Sequence, residues 1–322
     1  MNVVLLILDA LRYDHVNKGT TPNLMRVAEK GAFFRNAFSC NSSTIKSIPC
    51  ILCSDTEYKL DHSVASVLGG QGYHTAMIHS NPMVHAFYGG FRETIDLKSS
   101  KFKVSKGLKR TLRSNLPPQI IAGMKRLRAS VYEDDTYLPY SRARETLGFT
   151  GKWMNDHSRY FLWAHLMDPH IPYYPQNTSL DMTKHEMRTL NDKLIESVHG
   201  NYTPKPDEVE MAKTLYREDI REMDHEIGVF MKDFPEDTLL VVTSDHGEEF
   251  GEHGQYSHHE DKIVPELVHV PLIFFGAGVS EGRVMDDRVS SLSIAPTILD
   301  YFGVSETMGL GQSLWPSMRK QG

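Results

Sequence analysis

The chain has 322 residues, 40% hydrophobic and 24% charged, with a net charge of −6. That balance describes a globular protein with room for a large core, and it argues against a nucleic-acid partner. Three cysteines, Cys40, Cys50 and Cys53, are too few and too clustered for a disulfide scaffold, fit a reducing compartment, and lack the second pair of a zinc site.

The run NVVLLIL (2–8) reads as a first core strand ending at Asp9. It has neither the basic flank nor the cleavage site of a signal peptide. No stretch approaches the ~20 apolar residues that span a bilayer, so the expected location is cytoplasmic. In TPNLMRVAEKG, Thr21 is placed to cap a helix, with Pro22 at its first position and Gly31 closing it. SVASVLGGQGY leads into a strand HTAMIH at 74–79.

Residues 98–132 break the rhythm, with ten lysines or arginines and no acid. Leu108, Leu112 and Leu116 share one helical face, and Ile120, Met124 and Leu127 another, split by Pro117 and Pro118. The segment reads as a solvated flap packed through its leucines, as an amphipathic hairpin making peripheral contact with anionic lipid, or as a lid for an anionic substrate.

A helical stretch at 141–157 precedes the strand YFLWAHLM (160–167). Residues 171–206, rich in Pro, Asn and Thr, read as a long surface excursion. A long helix over 207–233 carries the stripe Leu215, Ile220, Met223, Ile227 and Phe230. Strands at 238–244 and 270–276 and a last helix in SLSIAPTILDYFGV complete the series, with no internal repeat. Continuous apolar strands alternating with helices predict a mainly parallel sheet covered on both faces.

In such a sheet, ligands gather outside the carboxyl ends of the strands. Asp9 ends the first strand, and Asp245 and His246 follow TLLVV within VTSDHGEEFGEHG (242–254). A divalent cation would turn these costly charges into ligands, since carboxylate and neutral imidazole both coordinate such ions. Glu248, Glu249 and Glu252 read as loop and solvation, and His253 fits either orienting the loop or touching substrate.

NVVLLILDALRYDH…TTPNLMRVAEKGAFFRNAFS resembles the N-terminal signature of the sulfatase family, within the alkaline phosphatase superfamily. GYHTAMIHSNP, FLWAHLMDPHIPYYP, LYREDIREMDHEIGVF, TLLVVTSDHGEEFGEHG…VHVPLIFFG and LSIAPTILDYFGV…GQSL continue the likeness in order. The resemblance implies an alkaline-phosphatase-like three-layer α/β/α sandwich. It implies a single sulfatase-like catalytic domain over 1–322, with insertions at 98–132 and 171–206. It places metal ligands at Asp9, Asp245 and His246, with Ala10 where many sulfatases have a second aspartate.

The family sets its nucleophile at a helix N-terminus, where free N–H groups favour an anion. NSSTIKSIPCILCS occupies that place, with Thr44 the preferred nucleophile and Ser47 the runner-up. Formylglycine is not expected, because Thr44 cannot form it by the usual route and Ile51 stands where the modification motif has Arg. The resemblance assigns His170 and His259 catalytic or transferred-group contacts. His258, Asn81 and Lys46 are candidate substrate contacts, with a turn role for Asn81 and a solvated lysine as the plainer readings.

The implied activity is metal-dependent hydrolysis of a sulfate or phosphate mono- or diester through a covalent Thr44 intermediate. It uses one divalent cation, or two, drawn from Ca²⁺, Mg²⁺, Mn²⁺ or Zn²⁺, on a small anionic ester. The alternatives are a phospho-group transferase acting on a glycan or lipid, and a non-catalytic binding protein of the same fold.

Overall fold

The structure, a computed structural model, describes residues 1–98, 137–304 and 308–320. Nearly all of the basic 98–132 segment lies outside the described residues. Strand β1 (Asn2–Leu8) is buried at all seven positions. Val4, Leu6 and Leu8 enter one apolar cluster, and Val3, Leu5 and Ile7 the other. A strand apolar on both faces needs cover on both sides, and helices provide it.

The other strands of the main sheet are β2 (Ala32–Phe38), β3 (His74–His79), β4 (Glu93–Asp96), β5 (Tyr160–Leu166) and β6 (Thr238–Thr243). After a short hairpin, β7 (Glu249–Phe250) with β8 (Tyr256–Ser257), come β9 (His269–Gly276) and β10 (Arg283–Ser290). The eight-stranded order is β10-β2-β9-β6-β1-β5-β3-β4. The sheet is mainly parallel, but β9 runs antiparallel to both neighbours, β2 and β6.

On one face pack α1 (Pro22–Glu29) and the helices Ala143–Asp156 and Pro206–Phe230, through Leu24, Leu147, Ile220 and Met223. On the other lie α2 (Thr44–Cys53), α3 (Val64–Gly70) and the helix Ile294–Tyr301, through Ile48, Leu68 and Ile298. This is a three-layer α/β/α sandwich. Leu215, Ile220, Met223 and Ile227 of the long helix are fully buried, each worth roughly 1.5–3 kcal/mol of apolar burial. No helix of the described residues is long and apolar enough to cross a membrane.

Three local expectations change. The Thr21 side chain does not cap α1; its hydroxyl donates to the His15 carbonyl. The cap comes instead from Asp224 of the long helix, which accepts from the backbone N–H groups of Asn23 and Leu24. Residues 171–206 are not merely a surface excursion. They hold a helix, Lys184–Val198, opened by a Thr183–Glu186 capping box and buried through Met187, Leu190 and Leu194. Cys40 and Cys50 form a disulfide, against the expectation of cysteines kept reduced, and Cys53 is a buried free thiol.

Candidate active site

Parallel pairing of β1 with β6 brings their carboxyl ends side by side, so Asp9 meets Asp245 and His246 across 235 residues of chain. All three are fully buried. His246 Nε2 lies 3.6 Å from both Asp9 Oδ1 and Asp245 Oδ2. Those two carboxylate oxygens have no hydrogen-bond partner among the described residues. The His246 Nδ1–H donates to the Gly247 carbonyl at 2.8 Å, which leaves the Nε2 lone pair facing the two bare oxygens. Two orphaned anionic oxygens and one imidazole lone pair, buried together, fit a divalent cation.

The remaining atoms of these carboxylates are held in place. Asp9 Oδ2 accepts from His165 Nε2 and from Asn81 Nδ2, each at 2.9 Å. Asp245 Oδ1 accepts from its neighbour's N–H at 3.0 Å. Burial alone would raise the Asp9 carboxyl, but His170, His165 and His246 together hold it far below the ordinary range. Burial likewise opposes charge on His246, yet Asp245 and Asp9 outweigh it and raise that imidazole.

The backbone here is constrained. Ala10 sits in the left-handed region at φ 61°, where a side chain is strained. Its carbonyl accepts from the Tyr216 hydroxyl at 2.8 Å, so the long helix pins the turn. Gly247 has no room for a side chain, since a Cβ would collide with the Glu266 carbonyl.

Thr44 is the first residue of α2, with its hydroxyl 3.3 Å from His246 Nε2. The first N–H groups of a helix lack intrahelical acceptors and favour an anion beside that hydroxyl. Ser47 points elsewhere. Its hydroxyl donates to the Asn41 carbonyl and lies 3.0 Å from that of Ser39, which donates to the Asp245 carbonyl.

A family model described as Sulfatase matches residues 1–304. The chain belongs to the sulfatase family. With that family it joins the hydrolases of sulfuric and phosphoric esters. An arylsulfatase of Clostridium perfringens is 24% identical over 376 residues, spanning 94% of this chain and 75% of the relative. A low-salt glycan biosynthesis sulfotransferase of Haloferax volcanii is 31% identical over 156 residues, covering 47% of this chain but only 35% of the relative. Among solved structures, a phosphonate monoester hydrolase of Agrobacterium radiobacter superimposes with TM-score 0.66 at 17% identity, over 98% of this chain and 76% of that one. The soluble domain of a lipooligosaccharide phosphoethanolamine transferase of Neisseria meningitidis gives 0.63 at 18%, over 92% and 86%. At these identities the structural likeness speaks for the fold.

Within this sulfatase fold the expected residues divide. Asp9, Asp245, His246 and Thr44 converge, and Asn81 joins them through Asp9. Asn81 also fills its plainer role, its Oδ1 accepting from the Met83 N–H at the start of a short helix. The His258 ring lies 4.2 Å from that of His246, and His170 lies 5.0 Å from His258. His259 contributes its backbone carbonyl to the Ser42 hydroxyl. The Lys46 side chain is exposed.

Three residues escape the sequence reading. His165 lies inside the apolar strand β5, and a polar residue in such a run, one position before the carboxyl end, is the signal that marks it. Glu248 and Glu249 are not loop solvation, because both are buried. Glu248 Oε1 lies 3.2 Å from His258 Nδ1, and Glu249 pairs with Lys262 at 2.6 Å. Glu252, partly exposed, accepts from Arg12 at 2.8 Å, and His253 pairs with Glu266 at 2.9 Å.

Proposed function

We propose that the chain hydrolyses sulfate or phosphate esters with a divalent cation held by Asp9, Asp245 and His246, and with Thr44 as nucleophile. The observation that carries this reading is the placement of the Thr44 hydroxyl beside two unpartnered buried carboxylate oxygens and an imidazole lone pair. When bound, the cation supplies positive charge that acidifies a neighbouring hydroxyl and offsets charge building on the ester oxygens. Ca²⁺, Mg²⁺, Mn²⁺ and Zn²⁺ all accept this donor set.

The protein's groups then have separate tasks. The first turn of α2 orients the anionic group in line with Thr44. Thr44 Oγ1 forms the new bond to sulfur or phosphorus as the ester oxygen departs, taking a proton to leave as an alcohol. Water next displaces the threonine oxygen, and inorganic sulfate or phosphate is released. His258 is suited to proton transfer. Burial, and then proximity to His246, lowers its pKa. Glu248, held low despite its burial by His258 and its neighbours, accepts the Nδ1–H and leaves Nε2 as the basic nitrogen. We assign His258, rather than His259, the role that sequence spacing gives to its neighbour, with His170 beside it.

Acid quenching during turnover of an aryl phosphate or aryl sulfate, followed by peptide mass mapping, tests the intermediate. The expected adduct is on the peptide residue Thr44. An adduct on Ser47 would overturn the assignment. Transfer to an alcohol acceptor is the second reading, prompted by the sulfotransferase relative. Product analysis with an added glycan or lipid alcohol separates the two, because only transfer yields a new ester.

A further inference from the structure

One cluster of donor groups lies away from the chemistry above. His74 opens β3, Glu93 opens β4, and His157 directly follows the helix Ala143–Asp156. Each offers a donor atom, and the three atoms lie within 4.8 Å of one another. This is the amino-terminal side of the sheet, separated from the catalytic end by the length of β3, roughly 17 Å at 3.3 Å per residue.

Two of the three groups are oriented by one residue, Trp153, through its backbone carbonyl and its buried side chain. The His157 Nδ1–H donates to the Trp153 carbonyl at 2.8 Å, so Nε2 carries the free lone pair. The Trp153 indole stacks on the same imidazole, with ring centres 4.0 Å apart and planes 11° apart. The Trp153 indole N–H donates to Glu93 Oε2 at 2.9 Å, leaving Oε1 turned toward His157 Nε2 at 3.6 Å. Two donors on one tetrahedral zinc, with bonds of about 2.05 Å, stand roughly 3.4 Å apart. The His74 ring closes the third side, 5.2 Å from that of His157. Metal-binding histidines commonly donate their second N–H to a backbone carbonyl, with the ligating carboxylate hydrogen-bonded in turn. A simple His–Glu ion pair would need neither a second imidazole nor this fixed tautomer.

We propose that His74, Glu93 and His157 form a second metal site, on the surface, for a zinc-class cation. Two imidazoles and one carboxylate favour Zn²⁺, Ni²⁺ or Cu²⁺ over Mg²⁺ or Ca²⁺, and solvent fills the open positions. A bound ion would tie the starts of β3 and β4 to the end of the helix that carries Trp153. The site is independent of the ester chemistry.

Equilibrium dialysis of the intact chain against Zn²⁺, with metal content measured per chain, tests this. Wild type is expected to hold one zinc more than His74→Ala, whose affinity at this site falls about tenfold or more. The His74 side chain is exposed, so the zinc-free melting temperature of His74→Ala should match wild type and report an intact fold. His157→Ala should lose the same zinc, and His246→Ala should keep it. Equal zinc content in wild type, His74→Ala and His157→Ala, or zinc lost only in His246→Ala, would overturn the proposal.

Discussion

The Thr44 hydroxyl stands 3.3 Å from Nε2 of His246, on the side of that ring facing the bare oxygens of Asp9 and Asp245. Ser47, one helical turn on, is already committed to Asn41 and Ser39. The two hydroxyls should therefore respond differently to removal. Thr44→Ala is expected to lower kcat by roughly 10³ or more. Ser47→Ala should keep turnover within a few-fold and cost about 1–3 kcal/mol in urea unfolding, since it strips a partner from buried polar groups. Full activity in Thr44→Ala with loss in Ser47→Ala would reverse the assignment.

Asp9 owes its orientation to His165 and Asn81, both bonded to Oδ2 so that Oδ1 is left free. Neither residue is placed to be a ligand in the proposed site. Removing such a partner typically weakens metal binding 10–100-fold. His165→Ala should therefore raise the Kd for Mn²⁺ by that factor in calorimetry. An unchanged Kd would mean that Asp9 needs no such support.

The polar pairs flanking His258 lead to a comparison of neighbours. His258 reaches His246 and Glu248, while His259 offers its backbone to Ser42. His258→Ala is expected to lower kcat about 10²–10⁴-fold, and His259→Ala by much less. Steady-state kinetics on an aryl ester decides this, and the opposite ranking would restore the role to His259.

Asp168 gives a stability prediction with a defined sign. It is fully buried, and its carboxyl is pushed from 3.8 up to about 6, chiefly by burial, against the Ala143 N–H and Arg142. The folded state therefore holds this proton more tightly than the unfolded chain does. Its contribution is fully present below pH 3.8 and is lost as pH rises through about 6. Asp168→Asn, which still accepts from the Ala143 N–H, should match wild type near pH 3.5 and exceed it at pH 7 by up to roughly 3 kcal/mol. Denaturant melts across this range test it, and a pH-independent difference would contradict it.

Much of this architecture is legible in the chain. The centres of β1 and β6 are apolar because both faces are covered, so Asp9, Asp245 and His246 stand out as charges at the ends of core strands. β10, RVMDDRVS, gives no such signal, since it lies at the sheet edge and exposes most of its side chains. The cap of α1 is invisible locally, because Asp224 comes from 200 residues away. Glu248 and Glu249 mislead for a related reason. Their spacing looks like a solvated loop, and only the partners His258 and Lys262, brought by the next strand and loop, make their burial tolerable.

The most direct test removes bound metal with a chelator and measures turnover of aryl sulfate, phosphate monoester, phosphodiester and phosphonate substrates as divalent cations are restored. At least one ester is expected to be hydrolysed only after a cation returns, and Thr44→Ala is expected to lose that turnover. Full activity in the chelated protein, or in Thr44→Ala, would contradict this.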